Sequence, residues 1–375
     1  MIRSRVVVLA SWLLGAWLWL GCAAAPVDGD DSGGAGVAGA GSEPGAGHPG
    51  GQGGEAGTST QPPAGDRSNV AVIARPDEVQ ANADGTWSVA TADDYAALGR
   101  AFYQDHPDAY DFLVVYTEGE FVEFFARAVT VDWTISGIDP YGPDPSMPGP
   151  ETAGSAGQLQ QINVMNTPDL YAASPGATDI AIHETVHRWA AYADVAGAPT
   201  PQYLLEGQWG GHWNVHAHTG GPSAVGYGDL TDVGGGRFRF DVRYPLRMSP
   251  LELYLAGLMA PSEVPAMFYV TQPHSYDPPA PQFGGQWDLS SYGEDVSFSG
   301  TRVDFDIDDV IAANGPRVPS SADARREFRF AFVLVCETVD GCSEAHLDIV
   351  ETQRSAFSDQ FHTATDGRAT AVTTL

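Results

Sequence analysis

With 375 residues, the chain is long enough for one large domain or two smaller ones. Its 18 Lys and Arg residues stand against 48 Asp and Glu residues, which gives a formal net charge of −30. A surface this acidic repels nucleic acid and anionic lipid, so we exclude nucleic acid as a partner and expect membrane contact only through a lipid anchor.

The N-terminus has the features of a lipoprotein signal peptide over residues 1–22. Two arginines precede an apolar run from Val6 to Gly21, and Cys22 follows it. Gly21 and Cys22 resemble a bacterial lipobox, in which the cysteine is lipidated and becomes the mature N-terminus, although the two residues before Gly21 depart from the usual pattern. Ordinary cleavage after the three alanines that follow Cys22 is the alternative. We expect an exported protein, anchored through Cys22 in the periplasm or at the cell surface, or otherwise secreted.

Residues 23–68 consist mainly of Gly, Ala, Pro and Ser. Such a segment buries too little apolar surface to offset the loss of chain entropy, so we expect a disordered tether. The remainder, residues 69–375, is predicted to be one folded domain, with residues 300–375 docked against the rest of it.

The first part of this domain carries clear secondary-structure signals. Thr91 is placed to cap a helix that runs through Phe102. Residues 111–117 form an apolar run typical of a buried strand, and residues 121–131 and 159–165 are predicted to be further strands. The pattern predicts an α+β fold in which a mixed sheet leads the chain into a further helix.

That helix contains the sequence His-Glu-Thr-Val-His. Residues four apart lie on one face of an α-helix, so His183 and His187 can offer imidazole nitrogens to one Zn²⁺ ion. Glu184 lies beside the first of them, where it can take a proton from a water molecule that the metal polarises. Residues 174–175, Ser-Pro, are suited to the start of the helix. The motif predicts a catalytic zinc site with Glu184 as general base.

A catalytic zinc needs a third protein ligand and one open position. The metzincin pattern would require Gly and His where this chain has Ala190 and Ala193, so that family is excluded. Glu206 follows His187 after residues 188–205, with two leucines before it and a glycine after it. This arrangement resembles the gluzincin metallopeptidases, in which a second helix presents a glutamate to the zinc. The resemblance implies Glu206 as the third ligand.

A second resemblance covers roughly residues 105–375 and implies a different ligand. The chain is similar to a family of exported bacterial zincin-like proteins, most of them uncharacterised. The likeness rests on the active-site helix and on four further segments: residues 154–160, 211–213, 248–258 and 364–368. It implies a zincin-like fold in which His212, the histidine before a tryptophan, is the ligand. Spacing favours Glu206, with His212 as the alternative; His216 and His218 are expected in a polar, glycine-rich loop.

Supporting groups are expected near this site. Ser249 and Pro250 should begin a helix that runs through Leu258. Glu252 lies in its first turn, either as an exposed residue favoured by the helix dipole or as the carboxylate that accepts the second N–H of a ligand histidine. Tyr227 and another tyrosine, at position 254, are both candidates to stabilise an oxyanion.

The C-terminal part shows structural rather than catalytic patterns. Cys336 and Cys342 are expected to form a disulfide after export. Residues 303–309 suggest a calcium loop at first sight but lack the glycine and the terminal glutamate of one, so a strand followed by a helix cap is preferred. Residues 344–361 are predicted to be an amphipathic closing helix.

These observations predict a monomeric zinc-dependent metallopeptidase that hydrolyses peptide or protein substrates. The alternative is a non-catalytic zincin-like module for binding or adhesion at the cell surface. The intact Glu184 favours the enzyme, because a structural zinc site needs no base and fills all four coordination positions.

Overall fold

The structure is a computed structural model, and it describes residues 66–67, 69–121, 125–139, 147–172, 177–199, 211–278, 282–283, 286–287 and 295–375. The expected signal peptide, nearly all of the expected tether, and Glu206 lie outside these residues. Within the described ranges no helix is both long enough and apolar enough to cross a membrane.

The described chain contains fifteen strands and five α-helices. The strands are β1 (Val70–Ala74), β2 (Gln80–Ala81), β3 (Trp87–Ser88), β4 (Phe112–Thr117), β5 (Arg127–Thr130), β6 (Gln161–Val164), β7 (Ala217–His218), β8 (Gly228–Gly234), β9 (Arg237–Val242), β10 (Met267–Asp277), β11 (Gln282–Phe283), β12 (Gln286–Trp287), β13 (Val296–Phe305), β14 (Glu327–Cys336) and β15 (Thr370–Val372). The helices are α1 (Ala92–Tyr103), α2 (Ala177–Val186), α3 (Pro250–Leu255), α4 (Ile307–Asn314) and α5 (Glu344–Ala364).

The main sheet is mixed, as predicted. Its strands lie in the order β1-β14-β4-β6-β5, and β15 also pairs with β14. All neighbours are parallel except β5, which runs antiparallel to β6 at one edge. The predicted strand over residues 121–131 is present only as Arg127–Thr130, with residues 122–124 outside the described chain.

Helices cover both faces of this sheet. Every residue of β4 is buried. Its continuous apolar run predicted this, because strands inside a parallel sheet are covered on both faces. Phe112, Val114 and Tyr116 pack in the same core as α2 and α5, whereas Leu113 and Val115 pack in the core formed with α1. Successive side chains of a strand point to opposite faces, so the alternation produces a helix–sheet–helix sandwich with the His-Glu-x-x-His helix, α2, on one side.

A second sheet lies after α2 in the chain, and the sequence did not predict it. It is antiparallel, in the order β7-β10-β13-β9-β8. Its buried face forms a core of its own, made of Val215, Leu230, Phe238, Phe240, Phe268, Val270, Val296 and Phe298. The hairpin of β8 and β9 turns through glycines at positive φ, for example Gly235 at 65°.

The C-terminal segment is integral to the main sheet, because β14 occupies a central position between β1 and β4. Asp306 caps α4 through its side chain, which confirms a strand and helix cap at residues 303–309. Cys336 and Cys342 form the predicted disulfide. The closing helix α5 is present and buries Leu347, Val350 and Phe357, among others. Helix α3 ends at Leu255 instead of Leu258.

Candidate metal centre

The helix α2 is held against the main sheet by apolar and polar contacts together. Ala181, Ile182 and Val186 lie in the core that the helix shares with β4 and α5. His183 and Glu184 are fully buried, and His187 is nearly so. The helix therefore presents its motif inside the protein rather than on a solvated face.

The last turn of α2 departs from regular α-helical hydrogen bonding. The Arg188 backbone N–H donates to the Thr185 carbonyl at 3.1 Å, so the Glu184 carbonyl lacks its usual donor. The Gln161 side chain on β6 supplies the donor instead, with 2.7 Å from Nε2 to the Glu184 oxygen. Asn163, two residues along the same strand, donates to the Thr185 hydroxyl at 3.1 Å. Polar residues at positions 161 and 163 of a buried strand indicate such side-chain bonds, but we did not predict them from the sequence.

Three histidines converge next to this turn. Nitrogens of His183, His187 and His212 all lie within 4.8 Å of one another, close enough to bind one metal ion. The His183 Nε2 is 3.0 Å from the His187 Nε2 and 3.1 Å from the His212 Nε2. Two nitrogens bound tetrahedrally to one zinc ion at 2.0–2.1 Å would be separated by about 3.3 Å. The observed separations are close to that value.

The remaining ring nitrogens determine which atoms are free to bind a metal. The His183 Nδ1 lies 2.9 Å from the Ala224 carbonyl, and the His187 Nδ1 lies 3.2 Å from the Ala190 carbonyl. A carbonyl oxygen only accepts hydrogen bonds, so both Nδ1 atoms carry the proton and both Nε2 atoms present lone pairs. Two lone pairs 3.0 Å apart repel each other unless a cation lies between them. The residues present therefore fit a metal ion.

The protonation state of the histidines also fits. Burial lowers the pKa of His183 well below its ordinary value, and the neighbouring His187 and His212 lower it further. Burial lowers the pKa of His187 to about 4, and burial together with His187 lowers that of His212. Imidazole must be neutral to bind a metal, so at neutral pH all three rings are in the required form.

The two candidate tyrosines have different positions. The Tyr227 hydroxyl lies 3.0 Å from the His183 Nε2, and the two rings stack with centroids 4.5 Å apart. Tyr227 also has left-handed backbone geometry, with φ of 58°, which is uncommon for a residue other than glycine and is concentrated at functional sites. The Tyr254 hydroxyl instead accepts the backbone N–H of Arg317 at 3.3 Å. Of these two tyrosines, only Tyr227 contacts the histidine cluster.

Glu252 has neither of the two expected positions. It is fully buried, so it is not an exposed first-turn residue. The His183 Nδ1 bonds to the Ala224 carbonyl rather than to the Glu252 carboxylate. Burial raises the pKa of Glu252 above its ordinary value, although hydrogen bonds from Ser223 and from three backbone N–H groups partly offset that rise.

The other candidate ligands lie apart from the cluster or outside the described chain. Glu206 is among residues 200–210, which the structure does not describe. His216 bonds to the Tyr276 hydroxyl at 2.8 Å, and His218 bonds to Asp229 at 3.2 Å. His218 belongs to β7, so this part of the expected loop is a strand.

The comparisons with known proteins add no relatives. No family model, curated protein or solved structure matches the chain. What the site can do therefore follows from its residues: three neutral imidazoles for a metal ion, a glutamate that follows the first of them in the chain, and a tyrosine hydroxyl within hydrogen-bonding distance of one ligand.

Proposed function

We propose that the protein is a zinc-dependent metallopeptidase and that His183, His187 and His212 hold the zinc ion. The observation that carries the proposal is the convergence of imidazole nitrogens, two of them with the lone pair fixed by a backbone carbonyl. Three protein ligands leave one coordination position open, which is typical of catalytic zinc sites, and imidazole is a preferred zinc ligand. Convergence of the three rings favours His212 over Glu206 as the third ligand.

The catalytic roles follow from the positions of the neighbouring groups. Bound zinc would supply a Lewis acid that polarises the scissile carbonyl and makes water more acidic. Glu184 accepts the proton of the attacking water and returns it to the leaving amine. The Tyr227 hydroxyl donates a hydrogen bond to the oxygen on which negative charge develops. Burial of Glu184 limits competing water around the base.

The setting that we propose is extracytoplasmic. The signal-peptide pattern of residues 1–22 supports a lipid anchor on Cys22, and the composition of residues 23–68 supports a tether between that anchor and the catalytic domain. We propose that the domain acts as a monomer on peptides or proteins. A Cys22→Ala variant should lose lipid labelling and appear in the soluble fraction; retained lipid labelling would contradict the anchor.

The decisive activity test compares Glu184→Gln with the wild type on casein and on a mixed peptide library. We expect wild-type hydrolysis that a chelator abolishes and that added zinc restores. Glu184→Gln should keep its zinc and lose activity by roughly 10²- to 10⁴-fold, the usual contribution of a general base. Glu151→Gln, the same change at an exposed position, is the matched control and should retain full activity.

Two outcomes would contradict this function. Wild-type activity in Glu184→Gln would exclude that residue as the base. A wild-type protein that binds zinc and hydrolyses none of the peptide pools would instead support a non-catalytic binding or adhesion module.

A further inference from the structure

Glu252 accepts more hydrogen bonds than a helix cap requires. It lies in the first turn of α3, where its carboxylate accepts the Ser249 N–H at 2.6 Å in a capping box. Four further donors reach it from the segment of residues 213–225: Trp213 Nε1 at 3.1 Å, Ser223 Oγ at 2.6 Å, Ala224 N–H at 3.0 Å and Val225 N–H at 3.1 Å. Four of the five partners are N–H groups, which only donate, and the Ser223 hydroxyl can donate as well, so the site offers a full set of donors to a carboxylate.

Among the residues that the structure describes, no cationic side chain bonds to the buried Glu252 carboxyl group. Each of the five groups that bond to Glu252 is neutral. Removal of a carboxyl group from water is costly, and the five donors offset that cost. These bonds tie the first turn of α3 to residues 213–225.

The segment that Glu252 holds is the one that shapes the metal centre. Ala224 donates its N–H to Glu252 and accepts the Nδ1–H of His183 through its carbonyl at 2.9 Å. Trp213, whose indole N–H also bonds to Glu252, directly follows His212 in the chain. One carboxylate thus fixes both the acceptor that orients His183 and the neighbour of His212.

We propose that Glu252 is the positioning residue of the metal centre, acting on His183 through the Ala224 peptide and on His212 through Trp213. The inference rests on the proposed metal centre. In most sites a carboxylate that supports a ligand histidine bonds to the ring directly, and its loss costs roughly 10- to 100-fold in metal affinity. Here one backbone peptide, that of Ala224, stands between the Glu252 carboxyl group and the His183 ring.

The test measures zinc affinity by competition with a chromogenic chelator, together with the visible spectrum of the cobalt-substituted protein. Glu252→Gln keeps the size of the side chain but turns one acceptor into a donor that faces N–H groups. We expect zinc affinity to fall roughly 10- to 100-fold and the cobalt bands to shift in energy or intensity, because the imidazoles lose their orientation.

Two further variants separate positioning from stability. Ser249→Ala removes the capping hydroxyl of the same helix but leaves the five donors to Glu252 in place, so it should lower the melting temperature while zinc affinity and cobalt spectrum stay at the wild-type values. Ser223→Ala removes the hydroxyl that bonds to Glu252 at 2.6 Å and should weaken zinc binding several-fold. If Glu252→Gln does not fold, Ser223→Ala decides the question.

Several outcomes would overturn the inference. Wild-type zinc affinity in folded Glu252→Gln, or in Ser223→Ala, would do so. So would a loss of zinc affinity in Ser249→Ala as large as that in Glu252→Gln, because the effect would then come from the stability of the helix. A wild-type protein that binds no zinc would overturn both this inference and the proposed function. Tight zinc binding with the expected variant pattern but without hydrolysis would support the positioning role and contradict only the peptidase.

Discussion

Replacement of Gln161 by methionine should destabilise the protein strongly, although the two side chains are similar in size. Gln161 is fully buried on β6, and its amide donates to the Glu184 carbonyl at 2.7 Å and to the Asn163 side-chain oxygen at 2.8 Å. Its own oxygen accepts the Thr130 hydroxyl at 3.1 Å. Methionine fills the space but leaves two buried acceptors without this donor.

The magnitude follows from those two acceptors. A buried polar group that loses its partner costs about 1–3 kcal/mol, so we expect the free energy of unfolding to fall by about 2–6 kcal/mol. The measurement is urea unfolding in the presence of a chelator, because bound metal would stabilise the folded state by mass action and mask the difference.

Gln158→Met provides the matched control for this prediction. Gln158 is half-buried and donates to Asp111, which retains Gln160, Arg325 and the Arg329 N–H as donors. The control should therefore cost less than about 1 kcal/mol. If Gln161→Met were no less stable than Gln158→Met, the Gln161 amide would not be what completes the hydrogen bonding of the His-Glu-x-x-His helix.

Three further predictions concern catalysis, pH and the disulfide. Tyr227→Phe should retain zinc and lower kcat by roughly 10²-fold, the usual effect of losing one oxyanion donor, whereas an unchanged kcat would exclude that role. Burial lowers the pKa of His106, but the Asp66 carboxylate and the Phe102 carbonyl raise it above its ordinary value overall. Asp66→Asn should therefore destabilise the fold most below pH 6.5 and progressively less as the pH rises through that raised pKa. Urea unfolding at several pH values measures this, and a loss of stability that does not vary with pH would contradict it. Reduction of the Cys336–Cys342 bond, which closes a loop with a sequence separation of 6, should lower the free energy of unfolding by about 2 kcal/mol; an unchanged urea midpoint in reductant would contradict this.

Local patterns predicted the parts of this site that are close together in the chain. His187 lies one residue beyond the end of α2 but still donates its N–H to the His183 carbonyl at 3.3 Å, so the common face of the two histidines follows from helical spacing alone. The caps at Thr91 and Ser249 were predictable for the same reason, because a capping box spans only a few residues. The continuous apolar run of β4 likewise indicated a buried strand.

The parts that depend on distant contacts were not predictable in this way. His212 joins the cluster from a segment without a regular helical repeat, so sequence spacing gave no reason to prefer it over Glu206. Glu252 reads as a first-turn glutamate, and only the fold shows that residues 213–225 cover it. Nor does the apolar pattern of β14 show that it lies between β1 and β4, because strand order is set by contacts far apart in the chain.

The central claim is that three histidines form the metal centre, and zinc stoichiometry after dialysis tests it most directly. The wild type should hold about one zinc ion per chain, and His212→Ala should hold far less. Glu206→Ala should retain the wild-type content, and so should His218→Ala, which alters a histidine that bonds to Asp229 outside the cluster. Full zinc in His212→Ala together with loss of zinc in Glu206→Ala would contradict the account.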